Sequence, residues 1–559
     1  MKRVIPIFLL LASFALGGFA QPKVPQQMQR QEGIHLTPVR GMKNALVYNP
    51  FGTRDMKARG GFSPLFLVFP DKACTEQEAM QLFSSLGLDQ LVNDYAGGVG
   101  IVNPVGKKWD NAKDFEAYKA LIDSMRIVSN MKIIAFGSAA TFVNQTIAQQ
   151  AGEVAGIVTI GGKPGKTVRT AVPVPTFVGG KGAQAVAKAY IAANKAAKVG
   201  DGVYENANEP LQRVVVDASA KSDKEFVAEA WRTLLSKNYR FNNYKHTFYT
   251  GARFGQYGTY ELEPYINFEE LGVERTVVEQ DLLHTGNFLW YEYVPKAVKN
   301  AAAKSTPLVI LLHGHGNDPR TQSETSGWIE VAAKENLLVA ELEWQGNGFT
   351  PMGHDGIEQV VYELLRKYPQ ADPSRVYAEG LSAGAMTSSA LGVRKSSLFA
   401  AVGAMSGGIF PDGFYTFSGS TIYNEALQKR VGIQTAYIGV AGTDDDTIVY
   451  PTAETWKGNS LINAWRIYQT MNGLDVTEDY DFAKYPYFGQ QLRDRKTETI
   501  KGITVESGRL YDKTGVPVMK LVAVQHYGHW NFKPAAQIMW DHFRHFSRDP
   551  ETKRLVYHE

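Results

Sequence analysis

Short apolar runs alternate with longer amphipathic segments over most of the chain. The runs at 308–312 and 338–340 are almost continuously apolar, which is typical of strands buried on both faces of a parallel sheet. Further along, a segment that stops before Pro369 carries apolar residues at helical spacing, namely Ile357, Val360, Val361, Leu364 and Leu365. Strands that alternate with helices in this way predict an α/β fold.

The same order of elements occurs twice along the chain. The matched segments are 64–71 with 307–314, 132–137 with 375–380, 157–162 with 402–408, 175–179 with 435–439, and 214–216 with 522–524. This repeat predicts two tandem α/β domains, each a mostly parallel sheet flanked by helices. The alternative is that two unrelated α/β domains share the same coarse pattern.

Composition and the repeat together divide the chain into five parts. We predict a signal peptide at 1–20, a leader at 21–37, a first domain at 38–240, a connector at 241–275 and a second domain at 276–559. The signal peptide is indicated by the basic Lys2 and Arg3, by the apolar run after them, and by the small residues Gly18 and Ala20. Such a segment predicts export, either to the periplasm or out of the cell.

The predicted connector is rich in aromatic residues: Tyr244, Phe248, Tyr249, Phe254, Tyr257, Tyr260 and Tyr265. A free linker would be flexible and poorer in aromatic side chains. We therefore expect the two domains to meet through a substantial interface.

Charge and cysteine usage exclude several classes of function. Lysine and arginine total 59 against 56 aspartate and glutamate, for a formal net charge of +3, and no long basic run interrupts the mixture. This balance argues against a nucleic-acid partner. Past the signal peptide, no stretch approaches the roughly 20 apolar residues that span a bilayer, so we expect no membrane anchor. Cys74 is the single cysteine, so no intrachain disulfide is expected.

One serine lies in the pattern of a nucleophile elbow. Gly380-Leu381-Ser382-Ala383-Gly384 has the form G-x-S-x-G, follows an apolar strand-like run and precedes a helix-like segment. The glycines suit a turn that is too tight for neighbouring side chains. The start of the following helix would face the negative charge that develops in acyl transfer. Ser382 is therefore the predicted nucleophile.

Acidic residues and histidines follow this serine, each group after a later apolar run: Asp444, Asp445 and Asp446, then His526 and His529. A serine hydroxyl needs a base to accept its proton and an acid to orient that base. We predict Asp445 as the acid and His529 as the base, with Asp444, Asp446 and His526 as the fallback. A helix-capping aspartate cluster and a packed histidine are the alternatives.

Two backbone N–H groups must point at the oxyanion of an acyl-transfer intermediate. We predict Ala383 as the first donor and Gly314 or His315 as the second, because the glycine-rich turn 313–316 allows a close approach to the substrate. A metal site built from the histidines and aspartates would lack any tight ligand pair on one helix. We therefore expect neither a metal nor an organic cofactor.

The segment from about Tyr291 to Trp530 resembles the secreted α/β-hydrolase esterases that are grouped with polyhydroxybutyrate depolymerases, feruloyl esterases and acetyl xylan esterases. The matching pieces are 293–295, 307–314, Asp355, 372–377, 380–386, 442–445 and 528–529. The resemblance implies an α/β-hydrolase-like fold, with Ser382 as nucleophile, Asp445 as acid and His529 as base. With the repeat, it implies two tandem α/β-hydrolase-like domains.

The first domain lacks the corresponding chemistry. In an alignment without gaps, Ala139 falls opposite Ser382, Ala185 opposite Asp445, and Lys221 opposite His529. A gap of one residue would bring Ser138 to the serine position, but no base would accompany it. The first domain is therefore predicted to be a degenerate, non-catalytic hydrolase-like domain.

The expected function is that of an exported serine esterase acting through an acyl-enzyme. Its expected substrate is a carboxylic ester, either an acyl or feruloyl group on a polysaccharide or a polyester. Trp344 and Trp530 are predicted to form the floor of the substrate pocket, although a buried tryptophan belongs to a core at least as often. A serine peptidase of the same fold and a non-catalytic carbohydrate-binding protein are the alternatives.

Overall fold

The structure is a computed structural model, and it describes residues 36–39, 41–48, 64–95, 98–125, 131–151, 154–165, 173–242, 260–315, 317, 319–346, 349–410, 422, 424–426, 433–445 and 447–559. The predicted signal peptide, nearly all of the leader, Gly316 and Asp446 lie outside the described residues. So do five of the connector aromatics, namely Tyr244, Phe248, Tyr249, Phe254 and Tyr257.

The first domain is built on a ten-stranded sheet. Its strands, β1 to β10 in chain order, are Thr37–Pro38, Ala45–Tyr48, Leu65–Phe69, Gly98–Val102, Met131–Phe136, Val154–Ile160, Thr176–Gly179, Ala197–Gly200, Val203–Glu205 and Val214–Asp217. Their order across the sheet is β1-β2-β4-β3-β5-β6-β7-β10-β9-β8. The six central strands, β4, β3, β5, β6, β7 and β10, pair in parallel. The strands at the two edges of the sheet pair antiparallel.

The second domain is built on another ten-stranded sheet. After a ribbon of β11 (Asn238–Asn242) and β12 (Tyr260–Pro264), its strands β13 to β22 are Val273–Gln280, Phe288–Pro295, Thr306–Leu312, Leu338–Leu342, Ala371–Leu381, Ala401–Met405, Ala436–Gly442, Arg493–Ile500, Ile503–Leu510 and Met519–Val524. Their order is β13-β14-β16-β15-β17-β18-β19-β22-β21-β20. A short ribbon of β23 (Phe546–Arg548) and β24 (Leu555–Tyr557) follows.

The two sheets have the same topology. Each strand of the first sheet has its counterpart twelve strands later, at the same place in the order and with the same parallel or antiparallel neighbours. The predicted fold class is confirmed: the chain has two tandem α/β-hydrolase-like domains, each with a mostly parallel sheet flanked by helices.

Helices connect the parallel strands in both domains. In the first they are α1 to α6: Glu76–Ser85, Leu88–Tyr95, Asn111–Met125, Gly137–Gln145, Ala183–Ala193 and Asp223–Ala230, with a 3-10 turn at Ile147–Gln150 and a π-helical turn at Trp231–Leu235. In the second they are α7 to α14: Phe268–Leu271, Lys296–Lys299, Pro319–Ser326, Trp328–Glu335, Gly353–Lys367, Ala383–Arg394, Ser460–Met471 and Ala535–Phe543. The helix predicted before Pro369 is α11, which buries Ile357, Val360, Val361 and Leu364.

Both faces of the first sheet are covered by apolar side chains. Alternate residues of β3 belong to two separate clusters: Leu65 and Leu67 pack on one face, and Phe66 and Val68 on the other. This is the arrangement of a parallel sheet with helices on both sides, and it explains why the strands are continuously apolar in sequence. The strands of the second sheet are buried in the same way.

The ribbon of β11 and β12 contacts both domains. Asn238 donates its side-chain N–H to Ala155 O at 2.9 Å, and Lys132 Nζ donates to the carbonyl oxygen of Asn238. On the other side, the buried Glu263 carboxylate contacts Lys501 at 2.9 Å and Lys533 at 3.3 Å. Burial opposes ionisation, but the two lysines outweigh it and lower the pKa of Glu263. The connector residues described by the structure are therefore an ordered part of the domain junction.

Candidate active site

Ser382 lies between a strand and a helix at the centre of the second sheet. Strand β17 ends at Leu381, helix α12 begins at Ala383, and Ser382 between them has φ 55° and ψ −116°. A positive φ is uncommon for a residue with a side chain and is found mostly where the surrounding structure enforces it. The structure thus has the strand, turn and helix order predicted for the G-x-S-x-G segment.

The glycines that flank the turn have no room for a side chain. A Cβ on Gly380 would lie 2.6 Å from Leu312 O, and a Cβ on Gly384 would overlap the same oxygen. Gly407, in the loop after the next strand, is restricted too, because its Cβ would lie 2.6 Å from Ser382 O. Real Cβ atoms do not approach other atoms this closely, so the backbone packing around Ser382 requires glycine at these three positions.

Asp445 and His529 form an acid–imidazole pair in which the aspartate is buried and the histidine is partly exposed. Asp445 Oδ2 lies 2.8 Å from His529 Nδ1, and the Asp445 side chain is fully buried. The other oxygen, Oδ1, accepts from the backbone N–H groups of Thr447 at 2.9 Å and Ile448 at 2.8 Å. A carboxylate oxygen accepts, so this contact is satisfied by the His529 tautomer that carries its proton on Nδ1.

The fallback residues occupy a more open position. His526 Nδ1 lies 3.7 Å from Asp444 Oδ2, and the two side chains are 86% and 36% exposed. Asp444 donates its backbone N–H to Tyr527 O at 3.0 Å. Asp446 lies outside the described residues. The geometry therefore distinguishes the pair of Asp445 and His529, with its buried aspartate, from the exposed pair beside it.

Backbone hydrogen bonds connect the strand ends from which the loops of Ser382, Asp445 and His529 begin. Ser382 N–H donates to Met405 O at 2.9 Å, Ser406 N–H to Val440 O at 2.8 Å, and Thr443 N–H to Val524 O at 2.9 Å. Strands β17, β18, β19 and β22 are neighbours and run parallel, so their carboxyl ends meet at this edge. Adjacent strands lie about 4.8 Å apart, so the loops that carry Ser382, Asp445 and His529 begin close to one another.

The glycine-rich turn after β15 approaches the same place. A Cβ built on Gly314 would lie 3.5 Å from Ser382 Cβ, so the backbone of Gly314 passes beside the serine. Ala383 begins helix α12, whose first N–H groups have no partner within the helix. His315 follows Gly314 with an exposed side chain. The predicted oxyanion donors therefore lie on two segments that adjoin Ser382.

The two predicted pocket tryptophans differ in their surroundings. Trp344 is only 8% exposed, and its indole Nε1–H donates to His313 O at 3.0 Å, so it lies beneath the Gly314 turn. Its place in the floor of the substrate pocket stays a prediction. Trp530 is half-buried directly after His529, and its backbone N–H donates to Gly528 O at 3.1 Å.

The sequence did not reveal two polar residues that support the histidine loop. Asn531 is buried and donates its side-chain N–H to Thr325 Oγ1 at 2.9 Å. Tyr527, also buried, donates its hydroxyl to the Asn531 carbonyl oxygen at 2.7 Å and so closes the turn across His529. The contact of Asn531 with Thr325 joins residues 206 positions apart, and no local pattern signals it.

The equivalent site in the first domain is defined by strand register. Phe69 pairs with Ala135 in the first sheet, as Leu312 pairs with Gly380 in the second. Counting on from these pairs brings Gly137 to the position of Ser382, and Gly137 also has a positive φ, 52°. The ungapped alignment that placed Ala139 there was therefore wrong by two residues, because it crossed loops of unequal length.

A carboxylate fills this equivalent site. Asp71, the counterpart of Gly314, accepts at Oδ1 from Ser138 N–H at 2.6 Å and from the Ser138 hydroxyl at 2.8 Å. These hydrogen bonds, the backbone one first, lower the pKa of Asp71. Ser138 N–H corresponds in register to Ala383 N–H. The side chain of Asp71 thus occupies the place where an oxyanion would lie.

The loops that carry Asp445 and His529 are much shorter in the first domain. Residues 443–459 follow β19, but only 180–182 follow β7 before helix α5 begins. Residues 525–534 follow β22, and 218–222 follow β10. Lys221, which the alignment placed opposite His529, is paired with Asp217. No acid–histidine pair is found in the described part of the first domain.

Within the described ranges, no group of three or more histidine, cysteine, aspartate or glutamate side chains is arranged to hold a metal ion. In the same part of the chain, none of the helices combines the length and the apolar character needed to cross a bilayer.

Comparison with solved structures finds similar esterases and hydrolases. An acetyl xylan esterase from Aspergillus awamori is 17% identical, with 48% of this chain and 99% of that chain covered and a TM-score of 0.34. A feruloyl esterase module from Clostridium thermocellum is 14% identical, with 48% and 86% covered and a TM-score of 0.31. An S-formylglutathione hydrolase from Agrobacterium tumefaciens is 12% identical, with 49% and 94% covered and a TM-score of 0.32. No curated protein matches the sequence significantly.

A family model adds a sequence match that includes the serine elbow. The model described as Esterase PHB depolymerase matches residues 358–441, from within α11 to the end of β19. This stretch contains Ser382, and the match supports a hydrolase that acts on carboxylic esters. It confirms the resemblance drawn from the sequence: the segment is similar to the esterases of the polyhydroxybutyrate depolymerase group.

Proposed function

We propose that the chain is a serine esterase whose second domain hydrolyses carboxylic esters through an acyl-enzyme. The observation that carries this proposal is the 2.8 Å contact between the buried Asp445 carboxylate and His529 Nδ1, at the sheet edge where Ser382 occupies its positive-φ turn. A helix cap or a packed histidine would not require this combination. The match of residues 358–441 to an esterase family supports the same conclusion.

In the proposed reaction, Ser382 Oγ attacks the ester carbonyl carbon while His529 Nε2 accepts the hydroxyl proton. The carbonyl oxygen becomes an oxyanion, which the N–H groups of Ala383 and of Gly314 or His315 stabilise. The intermediate collapses, the bond from the carbonyl carbon to the alcohol oxygen breaks, and His529 gives its proton to the leaving alkoxide. Water, deprotonated by His529, then attacks the acyl carbonyl carbon. The bond from this carbon to Ser382 Oγ breaks, His529 returns the proton to Oγ, and the acid leaves.

The proposed substrates are esters of polysaccharides, with acyl or feruloyl groups, or a polyester. We propose that the first domain does not hydrolyse them. Gly137 supplies no nucleophile, and the Asp71 carboxylate accepts the hydrogen bond that an oxyanion would need. Electrostatic repulsion from Asp71 would further disfavour negative charge at this position.

We further propose that the protein is exported, with residues 1–20 acting as the signal peptide. Fractionation of the producing cells, with N-terminal sequencing of the mature protein, tests this. A mature chain that starts near residue 21 in the periplasm or medium is expected, and an intact Met1 in the cytoplasm would contradict export.

Hydrolysis of p-nitrophenyl acetate, with and without a serine-directed organophosphate, tests the reaction. The proposal expects turnover that the organophosphate abolishes, with one equivalent of label on Ser382. Turnover of an amide substrate at a rate similar to the matched ester would instead favour a peptidase. Absence of both labelling and turnover would favour a binding protein without chemistry.

A further inference from the structure

We propose that Trp344 and His313 are positioning residues that fix the direction of the oxyanion donors in the Gly314 turn. This inference rests on the proposed esterase function. It concerns how the turn is held, and it assigns Trp344 a role different from the pocket floor predicted from the sequence.

The strand register brings the two segments together. Strands β15 and β16 run parallel, and Leu312 pairs with Leu342 at their carboxyl ends. The residues that follow each strand therefore meet, with His313 and Gly314 on one segment and Glu343 and Trp344 on the other. Sheet register thus places an indole donor beside the turn that approaches Ser382.

The first hydrogen bond fixes the peptide group between His313 and Gly314. Trp344 Nε1–H donates to His313 O at 3.0 Å. In a trans peptide the C=O and N–H bonds point in opposite directions across a plane. Anchoring His313 O therefore also fixes the direction of Gly314 N–H, which then faces away from the indole.

Two further hydrogen bonds fix the next peptide group. Gly314 O accepts from His313 Nδ1 at 2.8 Å and from Asn317 N–H at 3.1 Å. By the same geometry, the N–H of His315 points away from these donors. Both predicted donors of the turn, Gly314 and His315, are thus oriented through the carbonyl oxygen of their own peptide group.

The supporting side chains are themselves held in place. His313 is completely buried, so its ring is held by packing, and its second nitrogen Nε2 faces Glu343 Oε1 at 3.3 Å without forming a hydrogen bond. Glu343 Oε1 also accepts from the backbone N–H groups of Gln345 at 3.2 Å and Gly346 at 3.1 Å. A donor array that is rigid before the reaction stabilises an oxyanion better than one that must reorganise. Both rings are buried and act on the donors through the backbone carbonyl oxygens of the turn.

The test compares Trp344→Phe with Trp290→Phe in the full chain. Trp290 is another buried tryptophan of the same domain, 0% exposed against 8% for Trp344, and its indole donates to Glu292 Oε1 at 2.9 Å. The readouts are kcat and KM for p-nitrophenyl acetate and the inhibition constant of a trifluoromethyl ketone, which forms a tetrahedral adduct with a serine.

For Trp344→Phe we expect kcat to fall about 10- to 100-fold with KM within about threefold, and the ketone to bind more weakly by a similar factor. Trp290→Phe should change kcat by less than about threefold. Equal losses in the two variants would overturn the positioning role. A raised KM with unchanged kcat would overturn it too, because it would make Trp344 a substrate contact.

A second pair of variants covers the case in which Trp344→Phe does not fold. His313→Asn keeps a side-chain N–H beside Gly314 O, whereas His313→Leu removes it. We expect the asparagine variant to retain at least about tenfold more kcat than the leucine variant, and equal kcat values would contradict the inference. Failure of the proposed function is distinguishable, since the unmodified protein would then show either no ester turnover or turnover that the organophosphate does not abolish.

Discussion

Asp71 Oδ1 lies 2.6 Å from the backbone nitrogen of Ser138, at the position where the second domain has only the backbone of Gly314. The first domain has kept the positive-φ turn before its helix, with glycine instead of serine. Its Asp71 carboxylate accepts from the backbone N–H of Ser138, in the first turn of that helix. Two differences, Asp71 at the Gly314 position and Gly137 at the Ser382 position, therefore separate the two sites.

Asp71→Asn should destabilise the first domain in a pH-dependent way. Since hydrogen bonds from Ser138 lower the pKa of Asp71 in the folded state, its carboxylate contributes stability above the unfolded value of about 3.9, and this contribution is lost as the pH falls through the folded value. We expect a loss of roughly 1 kcal/mol at pH 7, typical of a helix-capping residue, and a smaller loss at pH 3.

Urea denaturation at the two pH values measures this effect, with Asp201→Asn in the exposed turn after β8 as the control. A difference between Asp71→Asn and the unmodified protein that is the same at pH 7 and pH 3 would contradict a role for the charge.

Ser382→Ala should abolish ester hydrolysis and leave the fold intact, because the change removes one hydroxyl from a half-buried turn. The expected loss in kcat is about 10⁴-fold or more. Ser138→Ala is the matched control, since it removes the hydroxyl of the serine beside the equivalent turn of the first domain, and it should change kcat by less than about twofold. More than a tenth of the original rate in purified Ser382→Ala would refute the assignment.

The two aspartates beside each other in the acid loop should behave differently. Asp445→Asn should lower kcat by about 10³- to 10⁴-fold, because an amide can hold the imidazole in the wrong tautomer. Asp444→Asn should lower it by less than about tenfold, since this carboxylate is 3.7 Å from an exposed histidine. Steady-state kinetics of the two variants decides the assignment, and a larger loss in Asp444→Asn would reverse it.

Local pattern was sufficient to predict much of this fold and site. Continuous apolar runs mark the buried parallel strands, and the order of serine, acid and histidine follows the order of strand ends. The pairing of Asp445 with His529 could be anticipated because parallel strands end at one edge.

What the sequence could not provide depends on register and on distant contacts. The equivalence of Gly137 with Ser382 required the pairing of strands across loops of unequal length. The hydrogen bond of Trp344 to His313 and that of Asn531 to Thr325 join segments brought together only by the sheet. Hydrophobic periodicity carries no information on such polar partners.

Glu379 is a buried carboxyl group next to the serine turn, and the pH dependence of stability tests its protonation state. It precedes Gly380 on β17, and burial raises its pKa to about 8 while Gln322 donates to it at 3.0 Å. The folded state therefore binds a proton that the unfolded chain releases near pH 4.5. By linkage, the stability associated with this proton is fully present below pH 4.5 and is lost as the pH rises through about 8.

Glu379→Gln should therefore be about as stable as the unmodified protein near pH 4.5 and more stable by a few kcal/mol at pH 9, given about 1.4 kcal/mol for each pKa unit. The amide keeps an oxygen that can accept from Gln322 without an ionisable proton. Urea denaturation between pH 4.5 and 9 measures the effect, with Glu551→Gln at an exposed position as the control. If the stability difference between Glu379→Gln and the unmodified protein does not grow with pH, Glu379 is not held in its protonated form.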